Sequence, residues 1–202
     1  MNLIDLCAAL TGLTCVFLAT RARVENFWAG YAYTLLLFFM FMQKHLYSSM
    51  LLQPISLAIN IYGHYRWTHP KEGEANAKKE LKISLLNGKQ RGLYASGWVL
   101  FALGWGFVLS RLHVVNRGWF PPAQQPYLDA FVTATFLTAQ WLSAKKVLEC
   151  WGCWMSANVT NFILYLRSGL VFMPFVAAAY MVMALFGFLG WRKKWNKENN
   201  YE

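Results

Sequence analysis

Trp151, Trp154 and Asn158 recur at intervals of three and four within LECWGCWMSANVTNFILYL, residues 148–166, which sets all three on one helical face. Two indoles and a carboxamide on one face can stack against a flat ring and hydrogen-bond its polar substituents. The same stretch carries Cys150 and Cys153 as C-x-x-C, a spacing suited to thiol–disulfide exchange. One pattern suggests binding and the other electron transfer.

Comparable polar groups interrupt two other apolar stretches. Gln53 and Asn60, seven apart, share a face of LLQPISLAINIYG, where Pro54 frees backbone groups that are tolerated beside a cavity. Thr133 and Gln140, again seven apart, precede Trp141. At the rise of an α-helix, Asn60 and Asn158 fall about 10–14 Å from the basic ends of their helices. Gln140, Trp141, Trp151 and Trp154 lie nearer those ends, and Gln53 and Thr133 farther away. Polar side chains in lipid turn toward the bundle interior, where they pair or bind something. Substrate contact is thus one reading of these eight residues. Helix–helix hydrogen bonding of the amides and interfacial anchoring of the tryptophans, Trp151 above all, is the other.

The elements that must position them are membrane spans. Of 202 residues, 57% are hydrophobic and only 14% charged, a balance rare in a soluble domain of this size. Seven apolar runs of about membrane-spanning length are expected, near 3–20, 27–43, 46–66, 92–110, 128–144, 150–166 and 170–190. A hydrophilic loop over 68–91 and the tail RKKWNKENNYE lie outside them. The first run starts near Met1 with Asp5 instead of a basic leader, which argues against a cleaved signal peptide. The fold class is therefore an all-α polytopic membrane protein. Net charge +10 could suggest nucleic acid, but fifteen of the nineteen Lys and Arg fall on one side of a seven-span topology. The positive-inside rule then places the N-terminus outside and the C-terminus in the cytoplasm, and no nucleic-acid site is needed.

Shifting the sequence by 124 residues against itself, without gaps, superposes Asp5 on Asp129, Thr14 on Thr138, Arg21 on Lys145 and Glu25 on Glu149. Leu46 then meets Leu170, Gly63 meets Gly187 and Trp67 meets Trp191. Two parallel three-helix units are expected over 1–67 and 127–191, in a 3+1+3 plan. Residues 68–126 form the loop, an unpaired fourth helix and an outer loop between them, and 192–202 form a basic tail. Parallel repeats related by an axis along the membrane normal are a recurring transporter plan, with the substrate site at their interface. Asp5, Asp129, Glu25 and Glu149 all lie at span ends, so no carboxylate or lysine falls at mid-membrane to relay a proton. A neutral, aromatic and amide-rich site suits a solute with hydroxyls, an amide and a delocalised positive ring, moved downhill.

The thiols fit redox work less well. Cys150 and Cys153 fall on the cytoplasmic side, where thiols stay reduced. Cys7 and Cys15 lack the C-x-x-C spacing, and His64 and His69 have no further ligand nearby in sequence. The chain reads as a carrier, not an enzyme, with neither metal nor cofactor.

Two stretches, LYSSMLLQPISLAINIYGHYRW and DAFVTATFLTAQWLSAKKVLECWGCWMSAN, resemble the PnuC family of bacterial vitamin transporters over nearly all seven spans. The resemblance is most specific at Gln53 to Trp67, Asp129 to Lys146 and the W-x-x-W-x-x-x-N of Trp151, Trp154 and Asn158. It implies a fold like a full-length SWEET-type sugar carrier, residing in the bacterial inner membrane among its lipids; whether copies of the chain assemble as a homo-oligomer is left open by the sequence. It further implies facilitated uptake of nicotinamide riboside, an NAD precursor, trapped by a cytoplasmic kinase. By the same resemblance Asn60, Gln140, Trp154 and Asn158 would contact the riboside, with Gln53 and Thr133 on the entry side. Thiamine or another aromatic vitamin is the alternative cargo, and a membrane thiol oxidoreductase the alternative class. Two departures stand out: relatives carry an additional N-terminal helix, and the Glu-Asn-Trp of span 6 is here Glu149-Cys150-Trp151.

Overall fold

The seven apolar runs become seven helices: α1 (Leu3–Thr20), α2 (Asn26–Gln43), α3 (Tyr47–Thr68), α4 (Gly88–Val115), α5 (Pro126–Ala144), α6 (Cys150–Arg167) and α7 (Met173–Asn199). The computed structural model describes residues 3–43, 47–76, 80–115, 126–167 and 173–199. The connections α2–α3, α4–α5 and α6–α7, with Lys44, Leu46, Arg117 and Leu170, lie outside the described residues, as does the side chain of Asp5. An 18-residue helix such as α1 spans about 27 Å, close to the hydrocarbon thickness of a bilayer. Among the described residues, α4 (from Gly88 to Arg111) and α7 (from Pro174) are long and apolar enough to cross a membrane by length and composition alone. The other helices are shorter or carry polar residues.

Large apolar side chains face outward, with Leu93 and Leu100 each 71% exposed and Phe175 72% exposed. Alanines occupy the interior instead, including Ala130, Ala139, Ala157 and Ala184. That inversion of the soluble pattern is expected where lipid is the solvent and small residues let helices approach closely.

Neighbouring helices in the chain pack together within 1–3 and within 5–7, α4 packs on α5, and the two triplets meet where α3 touches α5 and α7 touches α1. The order α1–α2–α3–α5–α6–α7 thus closes into a ring with α4 outside it. Matching α1, α2 and α3 to α5, α6 and α7 turns the α3–α5 contact into the α7–α1 contact, as two parallel copies require.

The register seen in the sequence recurs atom by atom at the basic end. Trp67 Nε1 donates to the Ser143 carbonyl at 3.2 Å, and Trp191 Nε1 donates to the Ala19 carbonyl at 2.9 Å. Each bond crosses from one triplet to the other, and each partner lies 124 residues from its counterpart. Phe27 meets Trp67 edge-on at 5.1 Å and 88°, and Trp151 meets Trp191 at 5.4 Å and 89°. Helices α1 and α5 both close with a left-handed residue, Ala22 at φ 53° and Lys146 at φ 56°. The amides of Ala22 and Arg23 return to the carbonyls of Ala19 and Leu18, and those of Lys146 and Val147 to Ser143 and Leu142. This is the Schellman ending of a helix, written twice. Because the two indole bonds are equivalent, Trp67→Phe and Trp191→Phe should each lower stability by about 1 kcal/mol. Thermal unfolding in detergent checks this, and a large inequality between them would contradict the equivalence.

The expected hydrophilic loop is seated, not solvated. Leu81 and Ile83 are buried in one cluster with Trp67, Trp151, Trp191, Val147 and Leu148. Ser84 and Val147 form a parallel bridge, with Ser84 N bonded to the Lys146 carbonyl and Leu148 N to the Ser84 carbonyl. Helix α4 starts at Gly88, ahead of the expected apolar run, because Asn87 and Gln90 bond each other's backbone amides at 2.8 and 3.0 Å in a capping box. Helix α7 carries the expected tail onward as far as Asn199. Trp195 packs on the same cluster, and Glu198 accepts from Asn76 Nδ2 and Ile83 N. Glu198→Ala removes both acceptor atoms, so proteolysis of the 69–87 loop in the intact protein should quicken by about tenfold or more, as one lost charge-assisted bond implies.

Candidate functional site

Thr34 and Asn158 occupy equivalent positions one helical pitch apart from Gly30 and Trp154. Thr34 Oγ1 donates to the Gly30 carbonyl at 2.8 Å and Asn158 Nδ2 to the Trp154 carbonyl at 2.8 Å. Both side chains are buried, 5% and 7% exposed, and both lie about 12 Å from the basic end of their helices. On α3, Asn60 Nδ2 reaches Thr34 Oγ1 at 3.5 Å. A Cβ on Gly30 would lie 3.3 Å from that Asn60 nitrogen, so the glycine is what lets the amide approach α2.

The two halves of this layer differ in chemistry. In the second triplet, Trp154 meets Phe136 edge-on at 5.5 Å and donates Nε1–H to Ser143 Oγ at 3.1 Å. The first triplet has Gly30 and Gly12 at those two positions. A Cβ on Gly12 would come within 2.9 Å of Tyr33 and 3.0 Å of the Tyr180 hydroxyl, and these two tyrosines hydrogen-bond each other. The second triplet therefore adds aromatic surface to its amides Gln140 and Asn158, and the first offers the Thr34 hydroxyl and the Asn60 amide.

The remaining expected residues distribute as follows. Gln140, on α5, keeps its carbonyl oxygen buried with no hydrogen-bond partner. A buried acceptor left unpaired costs roughly 1–3 kcal/mol, which a donor from a bound solute would recover. Gln53 and Thr133 are half-buried on α3 and α5. Trp151 packs within the α6–α7 contact, 4% exposed, against Gly187 and Trp191, with its indole N–H unpartnered. Trp141 stacks on Tyr62 at 5.0 Å and 13° and lines a groove between α3, α4 and α5, on the flank of the ring. Asn60 and Asn158 thus come to one level with Thr34, whereas Trp154 and Gln140 lie about one helical turn nearer the basic end, and Trp151 and Trp141 belong to the surrounding packing.

Thr34, Tyr33 and Tyr180 were not singled out by residue type. The 124-residue shift holds the signal for Thr34, since it superposes Thr34 on Asn158. It also returns the missing Glu-Asn-aromatic. Glu25-Asn26-Phe27 stands at the equivalent position in the first triplet, where buried Asn26 donates Nδ2–H to the Arg23 carbonyl and its backbone carbonyl accepts from Cys15 Sγ at 3.3 Å.

Charge is confined to the ends. Arg23 beside Glu25 holds that carboxyl below the usual carboxylate range, and Arg66 does the same for Glu74. Burial lowers the Lys146 ammonium from its ordinary value, with Glu80 and Glu198 opposing, while its Nζ lies 4.8 Å from the Trp67 ring centre. All four cysteines are free thiols, and Cys150 is fully enclosed. His64 bonds the Tyr31 hydroxyl at 2.9 Å and stacks on Phe27. Among the described residues no three His, Cys, Asp or Glu side chains gather as a metal site would require.

A ring of six helices with a seventh outside it, carrying neutral polar side chains, has counterparts among proteins already characterised. The chain is 24% identical over 212 residues to the nicotinamide riboside transporter PnuC of Escherichia coli, covering 95% of this chain and 85% of that one. It is 23% identical to the riboflavin/roseoflavin transporter RibM of Streptomyces davaonensis, over 93% of this chain and 83% of the relative. Its fold matches a crystal structure of the vitamin B3 transporter PnuC with a TM-score of 0.71 at 19% identity, over 96% and 83% of the two chains. The family model described as nicotinamide mononucleotide transporter matches residues 2–193. With nearly the whole length matched, the chain belongs to the nicotinamide mononucleotide transporter family.

Proposed function

We propose that this protein is an inner-membrane facilitator for nicotinamide riboside, which it moves downhill through the layer formed by Thr34, Asn60, Gln140, Trp154 and Asn158. The observation that carries the reading is the buried, unpartnered oxygen of Gln140, on a level with the partly buried Trp154 indole and about one turn from the Asn60 and Asn158 amides. The riboside supplies complementary groups: carboxamide N–H and ribose hydroxyls for the acceptors, and a cationic ring for the aromatic half. Gln53 and Thr133, farther from the basic end, would meet the solute on entry, and Trp151 and Trp141 would hold the walls. The N-terminus lies outside and the basic end faces the cytoplasm, where a kinase traps the product by phosphorylation. The family relationship and the absence of a mid-span carboxylate in the sequence support transport without a proton relay.

A riboflavin-class cargo is the second reading, favoured by the comparable identity to RibM. Calorimetry on the purified protein separates the two. Nicotinamide riboside should bind, and riboflavin and thiamine should not. Riboflavin binding alone would keep the fold and the mode of transport and overturn the cargo. Replacing Cys150 and Cys153 together by alanine should leave uptake into proteoliposomes unchanged, and loss of uptake with the fold intact would revive a thiol-dependent step.

A further inference from the structure

The groove on the flank of the ring has walls and a mouth of different chemistry. Ile55 and Ile59 on α3, Gly97 and Phe101 on α4, and Leu137 and Trp141 on α5 enclose a volume of about 290 Å³. That is too little for a helix some 10 Å across but fits a single alkyl chain. Nothing lies within 4 Å of where a Gly97 side chain would begin, so the bore is open there. Between Leu93 and Phe101 it follows about 12 Å of α4, within the half of the hydrocarbon core nearer the basic end.

At that end stands Lys145. Its Nζ donates to the Tyr94 hydroxyl at 3.0 Å, which also accepts from Trp141 Nε1 at 3.3 Å, and lies 4.7 Å from the centre of the Trp141 ring. Among the described residues no carboxylate pairs with Lys145, whereas the neighbouring cation Arg91 is taken by Glu149 at 2.9 Å. An apolar slot that opens on an unneutralised ammonium, at the level where headgroups begin, is complementary to one kind of molecule.

We infer that the groove between α3, α4 and α5 holds one acyl chain of an anionic phospholipid, with its phosphate against Lys145. Any lipid tail gains from the apolar walls, so the walls give affinity without choice. Lys145 gives the choice, because the phosphate of a net-negative headgroup has no choline of its own competing for it and so pairs with the ammonium more strongly. The position matters because α3 and α5 form one of the two seams between the triplets, where Tyr62 lies flat on Trp141. A lipid seated there lies against the seam itself.

The test is native mass spectrometry of the full-length protein in detergent, titrated with phosphatidylglycerol and with phosphatidylcholine of the same chains. The parent should retain one phosphatidylglycerol with about fivefold preference, the amount one lysine near an anionic surface contributes. Lys145→Gln should bind both lipids equally, and Lys145→Arg should keep the preference. Gly97→Leu, which fills the bore, should lose the retained lipid of either kind. Equal retention of both lipids by the parent, or a preference untouched by Lys145→Gln, overturns the inference. So does phosphatidylglycerol that stays bound to Gly97→Leu, or a lipid-free dimer showing that a second copy covers the groove.

Discussion

Gly187→Ala should cost about 3 kcal/mol and lower the melting temperature by roughly 6–12 °C, the range for a chain of this length. The added Cβ would sit 2.5 Å from two carbons of the Trp151 ring and 2.6 Å from a third. That ring is 4% exposed and wedged edge-on against Trp191, itself 1% exposed, so it cannot withdraw without displacing the contact between α6 and α7. Gly63, the counterpart in the first triplet, would place its Cβ 2.7 Å from Phe27 and 2.9 Å from the Ala144 Cβ, so Gly63→Ala should behave alike. Gly152 has nothing within 4 Å, and Gly152→Ala should be neutral or slightly stabilising, since alanine suits a helix better than glycine. A fluorescence melt of the three variants decides the matter. If Gly187→Ala melts with the parent, Trp151 is not packed as described.

Trp154→Ala should weaken nicotinamide riboside binding about tenfold while the protein still folds and inserts. An indole face toward a partly desolvated cation contributes on the order of 1–2 kcal/mol, and a tenfold loss corresponds to 1.4 kcal/mol. Trp154→Phe keeps an aromatic face and loses only the bond to Ser143 Oγ, so it should retain most of the affinity. Asn158→Ala and Thr34→Val remove polar groups at equivalent places in the two triplets. Both should weaken binding, because a polar solute that spans the layer meets both sides. Calorimetry on each variant reads these effects. Parental affinity in both Trp154→Ala and Asn158→Ala would move the site elsewhere, and loss in Trp151→Phe but not in these would move it toward the α6–α7 contact.

Much of this protein is determined by hydropathy read along the chain. Lipid rewards long apolar runs and leaves backbone groups to bond within each segment, so seven runs give seven helices whose ends shift by a few residues, except that α7 runs nine residues beyond its expected end. The 124-residue register is also in the sequence, since a turn that must close on a left-handed residue and an indole that must reach a carbonyl constrain both copies alike. What the sequence by itself does not show is how the segments between spans fold. Residues 68–91 read as hydrophilic because most of their side chains are, yet Leu81 and Ile83 bury against Trp67 and Trp191 while Ser84 and Glu198 bond the same loop to the helix ends. Nor does residue type show how each tryptophan is packed. Trp141, Trp151 and Trp154 are alike in a list and close in depth, but Tyr62 stacks on the first, Gly187 and Trp191 enclose the second, and Phe136 and Ser143 hold the third, which is partly buried. Those partners come from helices tens of residues away, so only the tertiary contacts could assign the roles.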